Sequence, residues 1–99
     1  MEIRNAALVL VVIDNRVLLA EKLDKVGKGL LNGYGGKVED NETFREAVSR
    51  EFKEETGGAT IVPDDLEQVA LTWFQNAHKD KKPVLWKIPV YVARQYHGV

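Results

Sequence analysis

The sequence predicts an α/β (α+β) fold in which a mixed β-sheet carries one packed helix. Three observations support this fold class. Residues 6–13 form an apolar run that is rich in β-branched side chains, and residues 69–75 and 84–93 form two longer runs of strand character. Residues 44–56 instead repeat their apolar side chains with a helical period. Because the two periods differ, the helix and the strands can be assigned separately.

The N-terminal third is predicted to form a β-hairpin followed by a glycine-rich segment. Residues 6–13 are expected to be a strand buried on both faces. A turn follows at residues 14–16, with Asn15 able to adopt the left-handed conformation, and residues 17–20 return as the second strand. Residues 24–36 contain five glycines and are predicted to be a loop or an irregular short strand.

The helix is predicted from its end signals as well as from its period. Thr43 can cap the N-terminus, and Glu46 stands at the capping-box position three residues later. Gly57 can adopt the left-handed geometry that ends a helix. We therefore expect the helix to cover residues 44–56.

The C-terminal half is predicted to add three strands. Residues 59–62 are a short candidate, whereas residues 69–75 and 84–93 should pair as a longer hairpin. Pro89 cannot donate a hydrogen bond, so it indicates an edge or a bulge in the last strand. Trp73, Phe74 and Trp86 are expected to be core or cross-strand aromatic residues, with stacking on a base as the alternative.

The composition describes a single ordinary domain, residues 1–99. The hydrophobic share is 44%, the charged share is 29% and the net charge is −1, so no general attraction to a nucleic acid polymer or to a membrane is indicated. The chain has no cysteine, which excludes disulfides and thiolate metal sites and agrees with a cytoplasmic location.

Three glutamates lie in the wrong part of the predicted helix. On a helical wheel the apolar stripe is formed by Phe44, Val48 and Phe52, and both Glu51 and Glu55 fall inside it. Glu54 falls at its edge. These carboxylates also stand near the C-terminus, where the helix dipole already disfavours negative charge.

A bound divalent cation would remove these costs together, since carboxylate oxygens suit hard ions such as Mg²⁺ or Mn²⁺. The preceding run NGYGGKVED would let the backbone approach a metal or a phosphate closely. The alternative is a solvated helix face in which Arg50 pairs with Glu46 and Glu54 at a spacing of four residues.

Residues 36–57 resemble the Nudix box, whose signature is G-x5-E-x7-R-E-U-x-E-E-x-G-U, with U a bulky apolar residue. Its fixed positions are matched here by Gly36, Glu42, Arg50, Glu51, Glu54, Glu55 and Gly57. Phe52 fills the first apolar position, whereas Gly58 departs from the second and Ala59 follows one residue late. This resemblance implies a Nudix-type sheet with the box helix packed on it.

The resemblance also implies a chemical role for each box residue. Glu51, Glu54 and Glu55, with the carbonyl oxygen of Gly36, are expected to hold Mg²⁺, with Mn²⁺ as an alternative. Arg50 is expected to orient a glutamate, and Glu51 is the candidate general base. The implied reaction is hydrolysis of a nucleoside triphosphate to a nucleoside monophosphate and pyrophosphate.

The run LNGYGGKVE and the hairpin before it are similar to MutT-type diphosphatases that act on 8-oxo-dGTP and other oxidised purine nucleotides. This similarity makes Asn32, Lys22, Gly35 and Lys37 the candidate substrate-binding residues. A turn role for Asn32 and a solvated role for Lys22 are the alternatives. The nucleotide is the expected partner.

The end of the chain raises further expectations. Nudix domains commonly reach about 130 residues, within the usual range of domain size. A C-terminal strand and a second helix are therefore expected to be missing, which would leave one sheet face uncovered. The chain would then be a fragment, or a homodimer would cover that face. Alternative functions are a catalytically weak module that binds a nucleotide or a protein, and hydrolysis of another nucleoside diphosphate derivative.

Overall fold

The computed structural model describes residues 1–21, 31–76 and 82–98. The elements that it contains are β1 (Glu2–Ile13), β2 (Arg16–Leu18), β3 (Ala20–Glu21), β4 (Leu31–Asn32), β5 (Tyr34–Lys37), α1 (Phe44–Thr56), a 3₁₀ turn (Pro63–Asp65), β6 (Glu67–Asn76) and β7 (Val84–Ala93).

The main sheet is mixed, as the sequence predicts. Its strands follow the order β2-β1-β7-β6, and β5 also pairs with β1. The neighbours β1 and β7 run parallel, whereas the other pairs in the sheet are antiparallel. Strands β3 and β4 form a separate two-stranded sheet.

The predicted hairpin is confirmed, with two changes in its bounds: Arg16 begins β2 and is not in the turn, and Ala20 belongs to β3 of the separate sheet. Asp14 and Asn15 have φ angles of 49° and 63°, so both central residues of the turn are left-handed. This conformation matches the twist of a tight β-hairpin. Ile13 pairs with Arg16 across the turn, which fixes the register of β2.

The core lies between α1 and one face of the sheet. Phe52 and Val48 of the helix are fully buried, as are Val9 and Val11 of β1. The ring of Tyr34 meets the ring of Phe52 edge-on, with 4.9 Å between their centroids. Burial of an aromatic side chain at such a position removes a large apolar area from water and fixes the helix on the sheet.

Both ends of α1 are confirmed. The backbone N–H of Glu46 donates to the Thr43 hydroxyl at 3.1 Å, and the Thr43 N–H donates to the Glu46 carboxylate at 2.9 Å. Gly57 ends the helix with a φ of 76°, and its N–H donates to the carbonyl of Lys53. The capping box and the glycine together satisfy backbone groups that a helix end leaves unpaired.

The expectation that residues 6–13 are buried on both faces is wrong. Ala7, Val9 and Val11 are buried under α1, but Leu8 and Leu10 on the opposite face are only half-buried. Within the described ranges, α1 is the one α-helix, and it covers one side of the sheet. That helix is also not long and apolar enough to cross a membrane.

Of the two predictions for Pro89, the edge is wrong, whereas an irregularity in the ladders beside it is found. Its strand β7 lies between β1 and β6, so it is not at an edge. The β1–β7 ladder pairs Asn5 with Lys87 and resumes at Leu8 with Val90. Pro89 falls in this gap, where no ladder partner on β1 is needed, and it pairs with Leu71 on the other side.

Two further expectations fail in the second half of the chain. Residues 59–62 do not form a strand; Thr60 makes one isolated bridge to His97. Trp73 and Phe74 are not core residues, because 51% and 60% of their surfaces are exposed. Phe74 does lie opposite Trp86 across the β6–β7 pair, so the cross-strand expectation holds for these two rings.

Candidate functional site

The site is built where β5 approaches the last turns of α1. Gly36 lies on the helix-facing side of β5, paired with Ala7. A Cβ atom added at Gly36 would lie 2.7 Å from the Cδ atom of Glu51. The absence of a side chain at residue 36 therefore creates the space that the Glu51 carboxylate occupies.

Gly35 makes a second link between the strand and the helix. Its backbone N–H donates to Oε1 of Glu55 at 2.9 Å. A Cβ atom at this position would lie 2.0 Å from the carbonyl oxygen of Ala7, closer than two non-bonded heavy atoms can approach. Consecutive glycines thus bring the backbone of β5 against two of the three predicted glutamates.

Arg50 joins the acidic residues from the other side. Its Nε and Nη2 donate to the two carboxylate oxygens of Glu42, at 2.7 and 3.1 Å. Nη1 donates to Glu51 at 2.9 Å and to Glu54 at 3.4 Å, and Nη2 also donates to the carbonyl of Lys37. A planar guanidinium can make all these bonds at once because its donors form a fixed fork.

These contacts shift the proton affinities of the Glu42–Arg50 pair. The hydrogen bonds from Arg50 hold the pKa of the Glu42 carboxyl below its ordinary value. The same hydrogen bonds raise the pKa of Arg50. Both groups are therefore charged near neutral pH, and Glu42 anchors the guanidinium. The N–H of Glu39 also donates to Glu42, which fixes the segment that leads into the helix.

The alternative prediction of a solvated pairing face is half right. Arg50 does contact Glu54 at a spacing of four residues. However, Glu46 belongs to the capping box, and the strong partner of Arg50 is Glu42, eight residues earlier. Arg50 is thus bound into the contact between the helix and the preceding segment.

The helical wheel placed both Glu51 and Glu55 in the apolar stripe. The structure agrees for Glu51, which is mostly buried, but not for Glu55, which is exposed. The Glu51 side chain is 20% exposed, between the helix and β5. Glu54 is 59% exposed, as its place at the edge of the stripe predicts, and Glu55 is also exposed. A wheel gives the direction of a side chain but not whether a neighbouring element covers it at that height.

The donors at this site fit a hard divalent cation in their chemistry, since they are carboxylate and backbone carbonyl oxygens. In the arrangement seen here, Glu51 and Glu54 turn toward Arg50 and Glu55 turns toward Gly35. No group of three His, Cys, Asp or Glu side chains converges as a ligand set among the described residues.

The predicted substrate-binding residues lie on or beside β5. Asn32 is exposed, and its Oδ1 accepts a hydrogen bond from the N–H of Gly33 at 2.8 Å, which matches its alternative role as a turn residue. Lys37 is exposed on the sheet face opposite α1, and its Nζ lies 5.8 Å from the centroid of the Trp86 ring. Lys22 is outside the described residues.

Two contacts near the site were not predicted from the sequence. One is the hydrogen bond that the Lys37 carbonyl accepts from Arg50, and the other is the packing of Arg45 against the 3₁₀ turn. Arg45 donates to the carbonyls of Pro63 and Leu66, and its guanidinium lies 5.0 Å from the centroid of the Tyr91 ring. The wheel places Arg45 on the solvent side of the helix. No local pattern shows that the 3₁₀ turn folds back over that side.

The fold and the site together define an α+β domain whose helix presents acidic residues to a glycine strand. The chain belongs to the Nudix family, because the pattern of the NUDIX domain matches residues 2–97. The resemblance found in residues 36–57 is therefore confirmed, and so is the predicted fold class.

Several known proteins are similar to this chain. Over 91 residues it is 36% identical to the oxidized purine nucleoside triphosphate hydrolase of Mus musculus. This match covers 92% of this chain and 54% of the relative. The crystal structure of a MutT Nudix hydrolase from Burkholderia pseudomallei superposes with a TM-score of 0.73 and 28% identity, over 99% of this chain and 71% of that one.

A MutT protein from Bacillus halodurans superposes with a TM-score of 0.76 and 27% identity, over 96% of this chain and 58% of that one. The chain spans about half the length of the curated oxidized purine nucleoside triphosphate hydrolases that it matches. The comparisons therefore establish the family and the fold.

Proposed function

We propose that this chain carries the active site of a nucleoside triphosphate hydrolase that releases a nucleoside monophosphate and pyrophosphate. Oxidised purine nucleotides such as 8-oxo-dGTP are the first candidate substrates. The similarity to two oxidized purine nucleoside triphosphate hydrolases, each 36% identical over 92% of this chain, supports this choice.

One observation carries the proposal. Three glutamates from the last turns of α1 are held in place by contacts outside the core, and two of them, Glu51 and Glu55, lie against β5. Arg50 holds Glu51 and Glu54, and the Gly35 N–H holds Glu55. Like charges at this end of a helix reduce its stability by a few tenths of a kcal/mol each or more. A functional role explains why the sequence retains them.

A divalent metal ion is the cofactor expected of a Nudix hydrolase, and Mg²⁺ is proposed here with Mn²⁺ as the alternative. The side chains of Glu51, Glu54 and Glu55 would hold it, together with the carbonyl oxygen of Gly36. Such an ion neutralises phosphate charge and lowers the pKa of bound water.

The protein residues then divide the remaining work. Glu42 fixes Arg50, and Arg50 is a positioning residue that holds the carboxylates of Glu51 and Glu54. Glu51 is proposed to accept the proton of the attacking water. The water oxygen forms a bond to phosphorus, and the bond from that phosphorus to the leaving pyrophosphate oxygen breaks.

Substrate contacts are proposed on the strand side of the site. The side-chain NH₂ of Asn32 can donate to the base, because the Oδ1 of the same amide is engaged by Gly33. Gly35 allows the substrate to approach the backbone. Lys37 stays a candidate from the sequence, and its ammonium lies on the sheet face opposite α1. Lys22 is retained as a candidate from the sequence.

The proposal is tested by incubating the chain with a panel of nucleotides and Mg²⁺ and measuring pyrophosphate and phosphate release. We expect turnover with at least one nucleoside triphosphate. Glu54→Gln should reduce the rate at least 100-fold, by loss of one ligand. Glu2→Gln, an isosteric change at an exposed residue of β1, is the matched control and should retain the rate.

Absence of release from every nucleotide would contradict the proposal. Metal-dependent nucleotide binding without turnover would instead favour the alternative of a catalytically weak binding module. Equal rates for Glu54→Gln and the unaltered chain would contradict the assigned role of Glu54.

A second substrate class is favoured by a specific similarity. Over 44 residues the chain is 50% identical to an ADP-ribose pyrophosphatase of Methanocaldococcus jannaschii, although this match covers only 44% of the chain. ADP-ribose therefore belongs in the panel. A higher kcat/KM for ADP-ribose than for any triphosphate would replace the first substrate proposal with this one.

A further inference from the structure

Strand β6 forms one edge of the main sheet. Within residues 1–21, 31–76 and 82–98 it pairs with β7 alone, over ten residues from Glu67 to Asn76. Every second backbone N–H and C=O group of such a strand points away from the sheet. An edge of this kind is a template for pairing with another strand.

The edge lacks the features that usually prevent pairing. Residues 69–76 contain no charged residue and no proline. Four large apolar side chains on this stretch are between 47% and 60% exposed: Val69, Leu71, Trp73 and Phe74. One irregularity in the β6–β7 register lies between Gln68 and Ala70, so the strand is regular from Ala70 onward.

The sequence of this strand is complementary to itself in the antiparallel direction. If Thr72 is placed opposite Thr72 of a second copy, Leu71 lies opposite Trp73 and Ala70 lies opposite Phe74. Opposed residues then project to the same face, because they differ in number by an even count. Threonine pairs and pairs of aromatic with aliphatic residues are favourable across strands.

The charges agree with a second copy of the chain as the occupant. Residues 69–76 are uncharged, so two copies of this stretch meet without repulsion, and no partner of opposite charge is indicated. A fully exposed aromatic side chain can bury about 150–250 Å². Since the four apolar side chains are about half exposed, together they offer roughly 400 Å² of apolar surface per chain. A standard interface buries about 800 Å² per partner, so this contact would be small and reversible.

We propose that β6 is a homodimer interface, in which two copies pair antiparallel about Thr72 and join their sheets edge to edge. This edge-to-edge contact differs from the homodimer expected from the sequence, which would cover the sheet face opposite α1. It does not depend on the proposed hydrolase activity, and its tests need neither nucleotide nor metal.

The first test is the mass of the chain in solution as a function of concentration, by sedimentation equilibrium. The mass should rise from 11.1 kDa toward twice that value between low micromolar and millimolar concentration. Leu71→Lys should prevent the rise. Val62→Lys, at an equally exposed position outside the strands, is the matched control and should leave it unchanged. Far-UV circular dichroism checks that each variant is folded.

The second test uses the absence of cysteine from the chain. Thr72→Cys would place one thiol opposite its copy, where directly opposed Cβ atoms are about 4.5–5.5 Å apart, close to disulfide range. Under mild oxidation this variant should form a covalent dimer at least tenfold faster than Val62→Cys.

A chain that stays monomeric at every concentration would overturn the proposal. A dimer that Leu71→Lys does not weaken, with no preferential cross-linking of Thr72→Cys, would also overturn it, since another surface would then form the contact. Failure of Leu71→Lys to fold leaves the cross-linking rate as the deciding result.

Discussion

Replacing Gly36 with alanine tests whether the Glu51 carboxylate needs its observed position. The added Cβ atom would lie 2.7 Å from Cδ of Glu51, and 2.9 and 3.0 Å from its two oxygens. Carbon atoms prefer a separation of about 3.5–4.0 Å, so the carboxylate must move by about 1 Å. The atoms that clash belong to the end of a flexible side chain, which can move without displacing the backbone.

The expected result is loss of activity without loss of stability. A displacement of about 1 Å at a catalytic group can reduce the rate about 100-fold. Gly36 is not among the glycines with positive φ, so alanine fits its backbone. The free energy of unfolding should change little, because replacing a compatible glycine stabilises by about 0.4–1 kcal/mol and offsets the local rearrangement.

The measurements are kcat with the best substrate of the panel and the free energy of unfolding in urea. Gly35→Ala is the contrasting control. Its Cβ atom would lie 2.0 Å from the Ala7 backbone oxygen, so this variant should lose the β1–β5 pairing and much of its stability. Full activity of Gly36→Ala would refute the assignment of Glu51 to the active site. A collapse in its stability would show that Gly36 is required by the fold.

Three further predictions concern stability. Glu42→Gln should lower the free energy of unfolding at pH 7 by about 1.5–3 kcal/mol, the usual range for hydrogen bonds to charged groups, since the Glu42 side chain is only 16% exposed and binds Arg50. The folded-state pKa of Glu42 lies below its ordinary value of 4.5. The stability that the Glu42 carboxylate contributes is therefore present above pH 4.5 and lost as the pH falls through the folded pKa. If urea titrations showed the same stability difference between Glu42→Gln and the unaltered chain at strongly acidic pH, the pairing of Glu42 with Arg50 would not be its cause. Thr43→Ala removes one side of the capping box and should cost about 1 kcal/mol, seen as a fall of about 4–8 °C in Tm; an unchanged Tm would show that the cap contributes nothing. Phe52→Ala empties a fully buried position and should cost about 3–5 kcal/mol, measured by thermal unfolding, whereas a loss below 1 kcal/mol would place Phe52 outside the core.

Local signals in the sequence predicted the elements well. The α1 caps at Thr43 and Gly57 and the turn at Asn15 each depend on a few adjacent residues, and each is confirmed. The Nudix box also lies within one local segment, residues 36–57, so its match could be read directly from the sequence.

The errors concern features that depend on distant neighbours. Pro89 was expected at an edge or a bulge, and the edge is wrong because β1 pairs with β7 from the other end of the chain and makes β7 central. Trp73 and Phe74 were expected to be core or cross-strand residues, and the core alternative fails because hydrophobicity does not reveal whether an element covers their strand. The fold of the 3₁₀ turn onto Arg45 is a tertiary contact of the same kind.

The site could be predicted as a set of residues but not as an arrangement. The box gives Arg50 and the glutamates, whereas the bidentate pairing of Arg50 with Glu42 joins two positions inside the motif that are eight residues apart. The space at Gly36 for Glu51 depends on how closely β5 packs on α1. Such distances follow from the assembled core and have no signature in the local sequence.

The most direct test of the central claim is Mn²⁺ binding measured by electron paramagnetic resonance on the chain without nucleotide. We expect the signal of free Mn²⁺ to fall as the ion binds, and Mg²⁺ to compete. Glu54→Gln and Glu55→Gln should each weaken binding at least tenfold, while Glu2→Gln should not. Equal affinity for Mn²⁺ in the unaltered chain and in both site variants would contradict the claim that these helix carboxylates hold the metal.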